Sequence, residues 1–262
     1  MEPNAFQREF HDACSDGDMP KIHEAIATGR LTVEDLDAGL RHATLMSHAD
    51  AVATLFDAGA RVSAEATGSL HGINFHQDPR IVRLFLDNGL DPNARISNGE
   101  PILPQFFNLS AATVLLSAGA DPNLRGPRGV SPLGRVIVST REPDTSMIEL
   151  YLEYGAKLES NLLFYSLGPH VQHRELKTRF LLDRGVDPNG TSDDWGTPLH
   201  LAARLSNVEI VKMLLEAGAD PTVQSVGRRI GKKRHHRRWL STCDIPRPAR
   251  RCSVSSRVTL AK

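Results

Sequence analysis

A short phrase that recurs about every thirty residues is the feature that most constrains how this chain can fold. Its strong copies are LFLDNGLDPN ending at Asn93, LLSAGADPN ending at Asn123, FLLDRGVDPN ending at Asn189 and LLEAGADPT ending at Thr222. The glycines of the strong and weaker copies stand at positions 29, 59, 89, 119, 155, 185 and 218, separated by 30, 30, 30, 36, 30 and 33 residues. Repetition at this period indicates an array of seven consecutive structural units.

Each unit is predicted to be a pair of helices. An apolar run ends at a glycine, which suits the left-handed position that follows a helix, and Asp-Pro-Asn then forms a turn. The other helix is clearest at TPLHLAA in the last unit. There Thr197 is expected to cap the helix, Pro198 to fill its first position and His200 to tie the turn to the helix start. We also expect Val211, Leu214 and Leu215 to pack into the stack.

These motifs resemble ankyrin repeats, whose hallmark TPLHxAA is present from Thr197 to Ala203. The resemblance covers residues 5–222 and implies an all-α solenoid of about seven helix-turn-helix repeats. It also implies a module that binds a protein partner through its finger tips and inner helices, without catalysis or a cofactor. SPLG at Ser131 to Gly134 keeps part of the motif, and EPIL at Glu100 to Leu103 keeps less.

Unit length varies along the array. A unit of 30 residues is expected to lack part of the finger between units or part of its first helix. The units around Leu40, Leu70 and Leu163 have no TPLH motif, so we expect their first helices to be short or irregular. REPDTS, from Arg141 to Ser146, should lengthen the loop inside the fifth unit.

Charge divides the chain into two parts. Residues 1–222 contain 19 Lys and Arg against 30 Asp and Glu, a net charge of −11, whereas residues 223–262 contain 12 against one, a net charge of +11. The second part is therefore assigned as a separate, Arg- and Ser-rich tail that we expect to be disordered. Its basic cluster comprises Arg228, Arg229, Lys232, Lys233, Arg234, Arg237 and Arg238.

Several interpretations of this tail stay open. The basic cluster is typical of a nuclear localisation signal, and it offers nucleic acid or another anionic surface as an alternative partner. The same charge suits a solvated, disordered tail that folds back loosely on the acidic array, where opposite charges of similar size attract. The apolar repeat pattern stops before it without a polar capping unit, which equally suits a shifted reading frame, a retained intron or an artificial terminus.

Partner-binding residues are predicted at the fingers. The candidates are Arg95, Asn98, Arg125, Arg128, Asp193, Asp194 and Trp195. Trp195 is either a rigid anchor for a partner or a residue that packs over the neighbouring finger. Arg125 and Arg128 are either a clamp for an acidic partner or ordinary solvated turn residues.

The remaining composition points away from catalysis, metal binding and secretion. No nucleophile motif, phosphate-binding loop or metal-ligand spacing is present, and the three cysteines are too scattered for a disulfide framework. There is neither a secretory signal nor an apolar run long enough to cross a membrane. We therefore expect a monomeric intracellular protein, cytoplasmic with the nucleus as a second compartment, that acts alone or as an adaptor or targeting subunit of a larger complex.

Overall fold

A computed structural model describes residues 4–70 and 77–224, and every structural statement below refers to these ranges. The predicted basic cluster and most of the predicted tail lie outside them. Within them the chain forms successive helices and one short 3₁₀ helix: α1 Ala5–Asp16, α2 Met19–Ala27, α3 Val33–Leu45, α4 Ala49–Asp57, α5 Ala64–Ser69, α6 Pro79–Asp87, the 3₁₀ helix Leu103–Gln105, α7 Leu109–Ser117, α8 Pro132–Ser139, α9 Ser146–Glu153, α10 Leu162–Ser166, α11 Arg174–Asp183, α12 Pro198–Arg204 and α13 Val208–Glu216.

These elements pair into seven units across the described ranges, as the repeat predicts. Units 1 to 3 are α1–α2, α3–α4 and α5–α6; unit 4 is the 3₁₀ helix with α7; units 5 to 7 are α8–α9, α10–α11 and α12–α13. Each unit closes at one of the seven repeat glycines, and all seven have a positive φ between 62° and 102°. A side chain at these positions would be strained, which is the physical reason for the regular glycine spacing.

Unit length is accommodated in two different ways. The first helix is reduced to six residues in α5, five in α10 and a three-residue 3₁₀ turn in unit 4. In unit 2, however, α3 has 13 residues, so the expectation of a short or irregular first helix around Leu40 is wrong. Thr32 caps α3 three residues after Gly29, and the finger is what has been shortened there. REPDTS lies in and around the expected longer loop between α8 and α9.

Asparagine side chains of the Asp-Pro-Asn turns link successive units. Asn123 Nδ2 donates to the Gly155 carbonyl at 2.9 Å, and Asn123 Oδ1 accepts from the Lys157 amide at 2.9 Å. Asn93 and Asn189 form the same pair of bonds with the unit that follows each of them. Each such asparagine therefore satisfies one donor and one acceptor at the glycine turn of the next unit.

An apolar core runs through the stack, built from residues such as Phe10, Leu55, Phe85 and Leu115. Leu214 is fully buried and Val211 partly buried, but Leu215 is 43% exposed, so the prediction that Leu215 packs into the stack is wrong. The corresponding Leu116, three residues before its own glycine, is only 3% exposed.

Lys177 is a charged residue inside this core. It stands eight residues before its glycine, where other units place Ile81 and Ile210, and its side chain is fully buried. Nζ donates to the carbonyls of Ile137 and Thr140, both at 2.8 Å, at the end of α8. Burial lowers the pKa of this amine to about 8. The ammonium is held by carbonyls at the negative end of a helix rather than by a carboxylate.

Candidate functional site

The predicted partner-binding residues lie on three fingers, which we call finger A (residues 94–102), finger B (residues 124–130) and finger C (residues 191–196). Finger A is a small hairpin in which the Ile96 amide donates to the Glu100 carbonyl and the Ile102 amide donates to the Ala94 carbonyl, each at 2.9 Å. Gly99 at its tip has a φ of 79°. Backbone bonds thus fix the shape of the finger before any partner binds.

Arg95 and Arg125 repeat one arrangement on fingers A and B. Arg95 Nη1 donates to the Gly99 carbonyl of its own finger at 2.8 Å and to the Arg125 carbonyl of the next finger at 3.2 Å. Arg125 Nη1 donates to its own Gly129 carbonyl at 2.6 Å, and Nη2 forms an ion pair with Glu159 in the turn that follows unit 5. Both guanidinium groups, although exposed, brace neighbouring turns of the array.

Arg128 of finger B and Asn98 of finger A both contact Glu100. Arg128 Nε lies 2.9 Å from Glu100 Oε1, and Asn98 Oδ1 accepts from the Glu100 amide at 3.0 Å. A Cβ atom at Gly126 would overlap the Glu100 carboxylate, so fingers A and B approach each other closely at this glycine. The positive charge of Arg128 is therefore partly neutralised inside the array.

Finger C differs from the other two in its charge. The Ser192 amide donates to the Gly196 carbonyl at 2.8 Å, and the Gly196 amide donates back at 2.9 Å, which closes a tight turn. Asp193 and Asp194 at its tip are exposed, and neither carboxylate forms an ion pair with any residue of the described ranges. This finger presents two adjacent negative charges to solvent.

Trp195 lies at the base of finger C, half-buried against the core. The guanidinium carbon of Arg204, at the end of α12, is 5.0 Å from the centre of the Trp195 rings. This is a cation–π distance, at which the guanidinium is attracted to the face of the indole. Trp195 thus packs within the array and still has a partly exposed surface; the choice between anchor and packing residue stays a prediction.

The start of α12 matches its predicted capping. Thr197 Oγ1 lies 2.8 Å from His200 Nδ1, the Thr197 amide donates to the same nitrogen at 3.2 Å, and the His200 amide donates to Thr197 Oγ1 at 3.4 Å. The structural role predicted for His200 is confirmed. This capping box fixes the first turn of α12 directly after finger C.

Arg204 is a site residue that the sequence prediction missed. It is exposed, directly follows the TPLHLAA motif and reaches back over Trp195. The signal available in the sequence was its position at the end of the first helix of a complete unit.

Within residues 4–70 and 77–224, no group of three or more His, Cys, Asp or Glu side chains is arranged to hold a metal ion. Burial raises the pKa of the Cys14 thiol to about 12, which leaves this cysteine unreactive at neutral pH. Among the helices of the same ranges, none has the length and apolar character that crossing a membrane requires.

Comparison with known proteins places the array in a family. The family model "Ankyrin repeats (3 copies)" matches residues 136–225. The putative ankyrin repeat protein FPV230 of fowlpox virus is 31% identical over 153 residues, which cover 55% of this chain and 79% of the viral protein. The E3 ubiquitin-protein ligase KEG of Arabidopsis thaliana is 24% identical over 249 residues, 84% of this chain, but the chain spans only 15% of that ligase.

Solved structures agree on the fold. The ankyrin repeat domain of Bcl-3 superposes with a TM-score of 0.61 over 79% of this chain and 97% of that domain, at 23% sequence identity. An identity this low supports the architecture and carries no partner with it. With the helix pairs, the repeated glycines and the viral relative taken together, the chain belongs to the ankyrin repeat proteins.

Proposed function

We propose that this protein is a non-enzymatic interaction module in which finger C binds a basic segment of a protein partner. Arg204, at the end of α12, supports the site through its contact with Trp195. Ankyrin repeats are protein–protein interaction modules, and the family gives the general class of activity. The partner's chemistry rests on one observation: finger C presents two exposed carboxylates that no side chain of the described array neutralises.

Fingers A and B support the proposal by contrast. Arg95, Arg125 and Arg128 use their donors on carbonyls and carboxylates of adjacent turns. A partner that bound these guanidinium groups would have to compete with those internal bonds, whereas a cation meeting Asp193 and Asp194 breaks no ion pair among the described residues. The predicted clamp for an acidic partner is therefore the less favoured use of the array.

Trp195 adds apolar area beside these charges. Its ring packs against Arg204 and the core, which reduces the ordering that binding would require. A lysine- or arginine-containing segment could pair with Asp193 and Asp194 while its aliphatic part packs against the exposed edge of the indole. Asn98 and the arginines of fingers A and B would then form the polar continuation of the interface.

Affinity capture with the full chain tests this proposal. Proteins that co-purify with wild type are quantified against those captured by Asp193→Asn/Asp194→Asn. The matched control is Glu142→Gln/Asp144→Asn, which removes two equally exposed carboxylates from the loop between α8 and α9. We expect a set of captured proteins to be lost with the finger C variant and kept with the control. Equal capture by all three chains would refute the assignment of finger C.

A second candidate rests on the separation of charge along the chain. The cluster from Arg228 to Arg238 could bind nucleic acid or another anionic surface, with the array as a passenger. Replacing its seven basic residues with glutamine in the full chain would then abolish binding, and wild-type binding would weaken steeply with salt. If the glutamine variant keeps the captured proteins, finger C is favoured instead.

An adaptor role within a larger complex is a further possibility of the same class. The longer plant relative is named as a ubiquitin ligase, and the similarity extends over 15% of it, which suits a recognition segment attached to activity elsewhere. The cytoplasmic, nuclear and monomeric assignments likewise stay proposals. Size-exclusion chromatography with light scattering, and imaging of the tagged full chain, would test them.

A further inference from the structure

Two histidines form a stacked pair where the first two units meet. His11 on α1 and His42 on α3 have ring centroids 5.3 Å apart and planes inclined by 19°. The helices approach closely at this interface, since a Cβ atom at Gly39 would lie 2.9 Å from the Phe10 ring and 3.0 Å from Cys14 Sγ. Any group added between α1 and α3 would therefore force these helices apart.

Hydrogen bonds define the protonation of the surrounding rings. Ser15 Oγ donates to the His11 carbonyl at 3.0 Å. The same oxygen can therefore accept a hydrogen bond from His42 Nδ1, which lies 3.1 Å away. His48 Nε2 lies 2.9 Å from the Ser15 carbonyl, which can only accept, so this nitrogen carries a proton.

His11 Nε2 lacks such a contact. The atom is buried and has no hydrogen-bond partner among the described residues. A neutral imidazole tolerates this arrangement because the nitrogen needs no donor when it carries only a lone pair. A protonated imidazole is less favourable there, because it would place a cation in a partly buried site against the second ring.

We propose that the first two units contain an acid-sensitive latch, in which protonation of the His11–His42 stack separates α1 from α3 and opens the N-terminal end of the array. The latch goes beyond partner binding at finger C and does not depend on it. Opening would expose the apolar side chains that α1 buries against α3, Phe10 among them.

Charged groups around the pair do not offset this effect. The charge of Asp35 on α3, a hydrogen bond to the Asp35 backbone and the charge of Asp12 on α1 favour protonation of His11, whereas Arg41 on α3 and burial oppose it, and the net shift of its pKa is downward. Asp35 is already engaged: it accepts from Gln7 Nε2 at 2.7 Å and from the Thr32 amide at 2.9 Å. Burial lowers the pKa of both His11 and His42, and the charge of His11 and Arg41 lowers that of His42 further.

The sign of the linkage follows from these lowered pKa values. Between the folded pKa and the ordinary value of 6.5, the unfolded histidines bind protons that the folded ones do not. Stability from the pair is therefore complete above 6.5 and is lost as the pH falls below it. Burial tends to raise the pKa of Asp35, but hydrogen bonds from Thr32 and Gln7 outweigh it, so this pKa lies below 3.8. The stability that ionised Asp35 contributes is therefore lost only at a more acidic pH than that of the histidines.

Hydrogen exchange of the full chain, read by mass spectrometry between about pH 7 and about pH 5 and corrected for intrinsic exchange, tests the latch. We expect peptides from α1 and α3 to lose protection relative to those from α12 and α13. His11→Phe keeps a flat ring without a titrating nitrogen and should remove that relative loss. His23→Phe, the same exchange at an exposed position of α2, should leave the loss as in wild type.

Two results would overturn the latch: a loss spread evenly over the array, or an equal loss in His11→Phe and wild type. Should His11→Phe fail to fold, titration of the wild-type imidazoles by NMR decides the question. The latch requires His11 and His42 to titrate below 6.5, and titration of both at or above that value contradicts it.

Discussion

Replacement of Asn123 by alanine should weaken the junction between units 4 and 5. The substitution removes two hydrogen bonds of 2.9 Å, one to the Gly155 carbonyl and one from the Lys157 amide. A net contribution of about 0.5–1.5 kcal/mol per bond gives a loss of about 1–3 kcal/mol in the free energy of unfolding. The array is a linear stack, so this loss falls on one interface between neighbouring units.

Asn98→Ala is the matched control for this prediction. It deletes the same atoms from an exposed finger residue that makes one local hydrogen bond, to the Glu100 amide. Urea denaturation followed by circular dichroism gives the midpoint and slope for each full-length variant. We expect the midpoint to fall clearly further for Asn123→Ala than for Asn98→Ala. Equal shifts would refute the reasoning that the turn asparagines join successive units.

Three further predictions concern buried or closely packed groups. Because burial lowers the pKa of Lys177 from 10.5 to about 8, the urea midpoint of wild type relative to Lys177→Met should rise between pH 8 and pH 10, where only the folded amine has lost its proton. Gly126→Ala should destabilise the chain by less than about 1 kcal/mol, since the overlapping Glu100 carboxylate is the end of a flexible side chain that can turn away and lose only its ion pair with Arg128. Trp195→Ala should weaken capture of the partner and, because Arg204 and the core also lose a contact, lower the melting temperature modestly.

Each of these predictions has a contradicting result. A wild-type midpoint that stays parallel to that of Lys177→Met at every pH would mean that the buried amine does not titrate in this range. A loss of several kcal/mol in Gly126→Ala would show that Glu100 cannot move aside. A large stability loss for Trp195→Ala with capture intact would make the indole a packing residue alone.

The helix pairs were predictable from the sequence because the glycine that closes each unit recurs at a nearly regular spacing. The glycine is needed there because its backbone has a positive φ. The spacing alone could not show whether a 30-residue unit has a shorter finger or a shorter first helix. A shortened finger before α3 and a shortened helix at α5 or α10 satisfy the same spacing, and the choice depends on contacts with neighbouring units.

Side-chain partners distant in the sequence were less accessible to prediction. Arg125 and Glu159 are 34 residues apart, and Lys177 reaches carbonyls 37 and 40 residues earlier. Sequence analysis identified Arg125 as an exposed finger residue, which it is, but its ion pair exists only once the units stack. Leu215 was misjudged for the related reason that burial at its position depends on what packs against unit 7.

The salt dependence of partner binding tests the central claim most directly. The dissociation constant of a captured partner is measured for wild type, Asp193→Asn/Asp194→Asn and Glu142→Gln/Asp144→Asn over a series of salt concentrations. If finger C binds a basic segment, affinity for wild type and the control falls as salt rises, while the finger C variant binds more weakly and depends less on salt. The same affinity and salt dependence for all three chains would contradict the claim.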